Sequence, residues 1–190
     1  MNVCVYGASS TQIDSSYIEE TEALGRALAE NGHTLVYGAG GAGLMGAVAR
    51  GVKQGNGCVI GVVPSFLKVD GILFDACDEI IFTDTMRERK QIMEERSQAF
   101  IVTPGGIGTY EEFFEIYTLK QLGRHSKPII LYNINGYYDA IVEMLQQTVE
   151  EKFMKADSLR LITVVNTAEE AIKQLDQQQT AVDIRSTKFV

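Results

Sequence analysis

The sequence predicts a doubly wound α/β domain, a mainly parallel sheet of about seven strands with helices on both faces, and three observations predict it. Short β-branched runs alternate with helical stretches along the chain, the runs are apolar on both faces, and glycine-rich turns follow several of them. Runs hidden from water on both sides suit a parallel sheet, and right-handed crossovers then distribute the helices over its two faces. In such Rossmann-like sheets, ligands bind at the carboxyl ends of the strands, where the glycine turns lie.

The elements follow in order. A strand at residues 3–6 runs into the turn Gly7-Ala8-Ser9-Ser10, and a helix spans 13–31, with Asp14 or Ser15 as its cap and Gly32 as its stop. A strand at 34–37, a glycine-rich turn at 38–46 and a helix at 44–54 come next, then strands at 59–63 and 79–82. A helix at 86–98 precedes the buried strand 99–103, the turn 104–108 and a helix at 109–122. The chain closes with a strand at 129–132, a helix at 137–152, a strand at 162–165 and a helix at 168–175. No internal repeat or linker interrupts this rhythm, so residues 1–176 read as a single nucleotide-binding domain and 177–190, opening on Gln177-Gln178-Gln179, as a surface tail.

At 190 residues, with 45% hydrophobic and 22% charged side chains, the chain can bury one sizeable core, which excludes disordered and disulfide-scaffold classes. A net charge of −8 disfavours nucleic acid and anionic membranes as partners, and no apolar run reaches a membrane span. Cys4, Cys58 and Cys77 lack CxxC spacing and read as buried free thiols, which points to a cytoplasmic protein. His33 and His125 stand apart, without ligand spacing, and read as turn or surface residues, so no metal is expected.

Three segments carry the chemistry. Gly38-Ala39-Gly40-Gly41-Ala42-Gly43 fits GxGxxG, but the next strand region, 58–65, holds no acidic residue for a dinucleotide ribose. Two readings stay open there: a tight turn letting helix approach sheet, or a generic phosphate contact. Pro104-Gly105-Gly106-Ile107-Gly108-Thr109 runs from a buried strand into a helix, and its glycines let backbone amides converge into an anion nest with Thr109 as a further donor. Thr109-x-x-Glu112 also fits a capping box, yet Glu111, Glu112 and Glu115 around an anion turn suit a developing cation as well. Met86, Arg89, Lys90 and Met93 share one helical stripe; the cations either snorkel toward Glu94 and Glu95 or, with the Met sulfurs, wall a nucleotide.

Taken together, these residues resemble the Lonely Guy (LOG) phosphoribohydrolases. Pro104–Glu112 matches their PGGxGTxxE, and Met86, Arg89, Lys90 and Met93 match MHxRKxxM, with Arg87 where His is common. Gly43-Leu44-Met45-Gly46 is similar to their GLMG, Gly7–Ser10 to their first glycine-serine turn, and 132–138 to their YNxxGYY. The resemblance implies hydrolysis of the N-glycosidic bond of N6-modified adenosine 5′-monophosphates, without cofactor or metal, by a homodimer. It implies Arg89 and Glu112 as the catalytic pair. It implies Lys90, Gly105, Gly106, Gly108, Thr109, Glu111, Thr118, Met86, Met93, Gly43, Gly46 and Ser9 as nucleotide contacts. A non-catalytic nucleotide sensor or carrier is the alternative, and it has little use for a carboxylate beside an anion nest. Pyridoxal-dependent lysine decarboxylation would need a Schiff-base Lys with supporting partners, and no Lys sits in such a setting.

Overall fold

The computed structural model describes residues 1–69 and 71–186. Its strands are β1 (Asn2–Tyr6), β2 (Thr34–Tyr37), β3 (Val59–Pro64), β4 (Glu79–Thr83), β5 (Ala99–Val102), β6 (Ile129–Tyr132) and β7 (Thr163–Val165). They form one parallel sheet in the order β4-β3-β2-β1-β5-β6-β7. The order reverses between β1 and β5, which opens a crevice at the carboxyl ends of those strands.

The helices are α1 (Ser15–Glu30), α2 (Gly43–Gln54), α3 (Met86–Arg96), α4 (Ile107–Gln121), α5 (Asp139–Glu150) and α6 (Ala168–Ser186). Strand side chains alternate between two cores. Val3 and Val5 of β1 face Leu24 and Leu28 of α1, Val48 and Val52 of α2 and Leu175 of α6, while Cys4 and Tyr6 face Met93 of α3, Phe113 and Ile116 of α4 and Leu145 of α5. The helices therefore cover both faces in two sets of three. Asp14 caps α1, accepting from the Ser16 N–H at 2.9 Å.

Several expectations change in detail. α4 begins at Ile107, two residues before the expected start, because Gly106 is its N-cap. Short 3-10 turns at Ser65–Leu67, Ile134–Gly136 and Ala156–Leu161 are too brief to show a period in sequence. α6 runs through the boundary drawn after residue 176 to Ser186, and the last four residues of the expected tail lie outside the described residues. Cys4 is buried as expected, but Cys58 is exposed. His33 is buried rather than superficial, its Nδ1 3.4 Å from the Met1 amino group. Among the described residues, no helix is long and apolar enough to cross a membrane.

Candidate active site

Two glycine turns reach the carboxyl edge of the sheet and open helices there, and their first helical amides differ. At the start of α2 the N–H groups of Leu44 and Met45 both bond to the Ala8 carbonyl, at 2.8 and 3.2 Å. Gly43 has a φ of +57° and abuts the backbone of residues 8–10, while a Cβ on Gly46 would strike the Gly41 carbonyl. Both glycines are buried. Both glycines thus let α2 pack against the first turn, as the tight-turn reading of GxGxxG requires.

The start of α4 is the opposite case. No side chain caps it, and among the described residues no hydrogen-bond acceptor meets the amides of Gly106, Ile107 and Gly108. Gly106 and Gly108 are exposed, and a Cβ on either would meet nothing within 4 Å. Orphan amides at a helix N-terminus, with open space above them, have the donor arrangement that suits an anion. Thr109 is buried, its Oγ1 tucked against Gly105, which only a residue without Cβ could allow. Ser9 is exposed on the first turn, which is bonded to this loop through Ala8 N–H to Pro104 O at 3.0 Å.

The Thr109–Glu112 capping box does not form. Glu112 instead accepts from Arg89 Nη1 at 2.7 Å, and both side chains are nearly buried, 12% and 9% exposed. Arg89 is held on three sides: its Nε donates to Val62 O at 3.1 Å, and its Nη2 lies over Gly38 where a Cβ would clash. The guanidinium keeps further N–H donors for a ligand. The snorkelling alternative, with pairs to Glu94 and Glu95, gives way to bridges between helices. Lys90 pairs with Glu111, and with Glu115 at 2.9 Å. Burial alone would make the Lys90 ammonium more acidic, but Glu111 and Glu115 outweigh it and raise its pKa, the reverse of what a Schiff-base lysine needs.

The Met stripe divides. Met86 is 41% exposed, but Met93 has no exposed surface and belongs to the core, so it offers no wall to a nucleotide. Thr118 is also set apart: it is exposed near the end of α4, about 13 Å along the helix from Thr109 at the usual rise per residue. Phe113 and Tyr117 are buried and Tyr110 and Phe114 pack against the same core, so the aromatic side of α4 is spent within the chain. Gly38 and Val62 O, which seat Arg89, were not legible in sequence; Gly38 was visible only as part of a turn.

Two outcomes follow. Gly38→Ala is expected to displace the guanidinium and lower kcat/KM by about 10²-fold, as a shift on the order of 1 Å can, with stability falling by about 1–3 kcal/mol from overpacking; steady-state kinetics and thermal melts measure both. Burial raises the Glu112 pKa against the opposing charge of Arg89. A carboxylate that must be ionised to work then loses activity as pH falls through that raised value. The acid limb of kcat/KM is therefore expected above the ordinary glutamate range, and higher still for residual activity in Arg89→Met.

Comparison with known proteins places the chain in a family. A family model described as possible lysine decarboxylase matches residues 45–175. The chain is 37% identical over 188 residues to the cytokinin riboside 5′-monophosphate phosphoribohydrolase LOG7 of Arabidopsis thaliana, covering 99% of this chain and 87% of that one. This chain belongs to the LOG family. A second LOG protein, the cytokinin riboside 5′-monophosphate phosphoribohydrolase of Oryza sativa, is 39% identical over 92% of this chain and 72% of its own. The LOG fold extends to the molybdenum cofactor carrier protein of Chlamydomonas reinhardtii, with a TM-score of 0.73 at 22% identity over 94% of this chain and 98% of that one. The molybdenum cofactor binding protein of Rippkaea orientalis gives 0.71 at 24% identity, covering 93% and 95%. At such identity the likeness is one of fold alone.

Proposed function

We propose that this LOG protein hydrolyses the N-glycosidic bond of adenosine 5′-monophosphates, N6-modified ones included, giving free base and ribose 5-phosphate. The observation that carries the reading is the buried Arg89–Glu112 pair on α3 and α4, with Glu112 little more than one turn into the helix whose N-terminal amides stand open. The relatives named as cytokinin riboside 5′-monophosphate phosphoribohydrolases support it.

In this reading the 5′-phosphate lies on the amides of Gly106, Ile107 and Gly108. The ribose then extends toward Glu112. As the bond from C1′ to the base nitrogen lengthens, positive charge grows on the sugar, and the Glu112 carboxylate stabilises it. Water adds to C1′ and gives up a proton, while the departing base takes one, so one water is consumed per bond broken. Arg89 fixes the carboxylate and has N–H groups left for ribose hydroxyls; Lys90 holds Glu111 and Glu115 aside. Met86 and Ser9 complete the rim. Our reading also takes the protein as cytoplasmic and as a homodimer; sedimentation of the purified chain tests the dimer, and fractionation of cells that express it the location.

Incubation with AMP and with N6-isopentenyl-AMP, followed by chromatography, tests the activity. Equimolar base and ribose 5-phosphate are expected, and release of both falls steeply in Arg89→Ala and in Glu112→Gln. Binding of the nucleotide without release of base would instead mark a carrier or sensor.

A further inference from the structure

Resting on the nucleotide reading above, we infer that Tyr137 is a positioning residue for the phosphate: its hydroxyl, bonded to the Gly105 carbonyl, keeps the next peptide turned so that the Gly106 N–H faces the anion. Three successive carbonyls at the end of β5 are tied inward. Thr103 O accepts from Tyr138 Oη at 2.6 Å, Pro104 O from the Ala8 N–H at 3.0 Å and Gly105 O from Tyr137 Oη at 2.7 Å. Across a trans peptide, C=O and N–H point in opposite directions. Drawing the Gly105 carbonyl toward Tyr137 therefore aims the Gly106 amide the other way.

This peptide needs a tether more than most. It joins two glycines, whose missing Cβ atoms leave its plane free to rotate. Beside it, between the turns that follow β1 and β5, lies a cavity of about 160 Å³ bounded by Ser10, Leu44, Gly105, Gly106 and Tyr137, so the peptide is not packed on every side. A flip would present a carbonyl oxygen to the phosphate in place of a donor. Tyr137 is itself braced: its Oη is 3.0 Å from Tyr110 Oη, and its ring meets the edge of Tyr17 at 6.1 Å between centroids. With the Tyr137 proton on Gly105, the Tyr110 proton points to Tyr137, and such chains strengthen each bond. Burial, aided by the Tyr110 hydroxyl, pushes the Tyr137 phenol up to about 12, so it remains a donor at neutral pH.

Tyr138 supplies the control. The Thr103 carbonyl that it holds precedes Pro104, which has no N–H, so this tether aims no amide at a ligand. Calorimetric titration of ribose 5-phosphate into wild type, Tyr137→Phe and Tyr138→Phe, with melting curves for each, tests the inference. Tyr137→Phe is expected to bind about 10-fold or more weakly, the worth of one hydrogen bond to a charged group, with nearly unchanged Tm. Tyr138→Phe is expected to melt lower and bind as wild type does. Wild-type affinity in Tyr137→Phe, equal weakening in both variants, or no binding by wild type overturns the inference. Base release measured on the same preparations separates the two readings. Binding that follows the expected pattern without release defeats only the hydrolase, and release with undiminished binding in Tyr137→Phe defeats only the tether.

Discussion

Glu112→Gln is expected to keep the fold and to lose turnover by on the order of 10²–10³, the usual consequence of removing one well-placed electrostatic group. The amide fills the same space and its oxygen still accepts from Arg89 Nη1, so packing between α3 and α4 survives. What disappears is the negative charge beside a sugar that becomes positive only near the transition state. The effect therefore falls on kcat far more than on KM. Circular dichroism and thermal melts would verify the fold, and single-turnover rates the loss. Ribose 5-phosphate should bind the variant as it binds wild type, because the amides of Gly106 to Gly108 are untouched.

The second large effect is on stability as well as rate. Arg89→Ala leaves Glu112, 12% exposed, without its cation, and removes the donor to Val62 O. Stripping one partner from a buried pair costs about 3–5 kcal/mol. Replacing both partners by apolar residues avoids the stranded charge, so Arg89→Met combined with Glu112→Leu is expected to recover most of that loss while remaining inactive. Denaturant titration of the single and double variants measures the difference. A double variant as unstable as Arg89→Ala would mean that the pair holds the fold together, not that the fold holds the pair.

That the fold tolerates a buried ion pair explains what the sequence could and could not reveal. The strands were legible because both faces of the sheet are covered, which makes runs such as Ala99–Val102 wholly apolar. The turn that opens α4 was legible because three glycines between a buried strand and a helix mark a backbone that must turn tightly. What stayed hidden depends on contacts between distant elements. Two glycine turns looked alike in sequence, and the bonds of Leu44 and Met45 to Ala8 O, which tie one of them to the first turn, are visible only in the structure. Arg89 and Lys90 looked like members of one helical stripe, yet the first reaches back to β3 and across to Glu112 while the second serves Glu111 and Glu115. Met93, on the same stripe, turned out to be core, because a stripe wide enough to face the sheet has an inner and an outer edge. Thr109 and Glu112 have the spacing of a capping box, but the helix starts earlier, at Ile107, and that shift of register frees the carboxylate for Arg89.

A crystal structure with ribose 5-phosphate bound tests most directly whether the open amides of α4 and the Glu112 carboxylate serve one sugar phosphate. The phosphate oxygens are expected on the amides of Gly106, Ile107 and Gly108, with C1′ about 3–3.5 Å from a Glu112 carboxylate oxygen, a distance suited to reaction. A sugar whose C1′ points away from Glu112, or a phosphate seated elsewhere than on the start of α4, would contradict it.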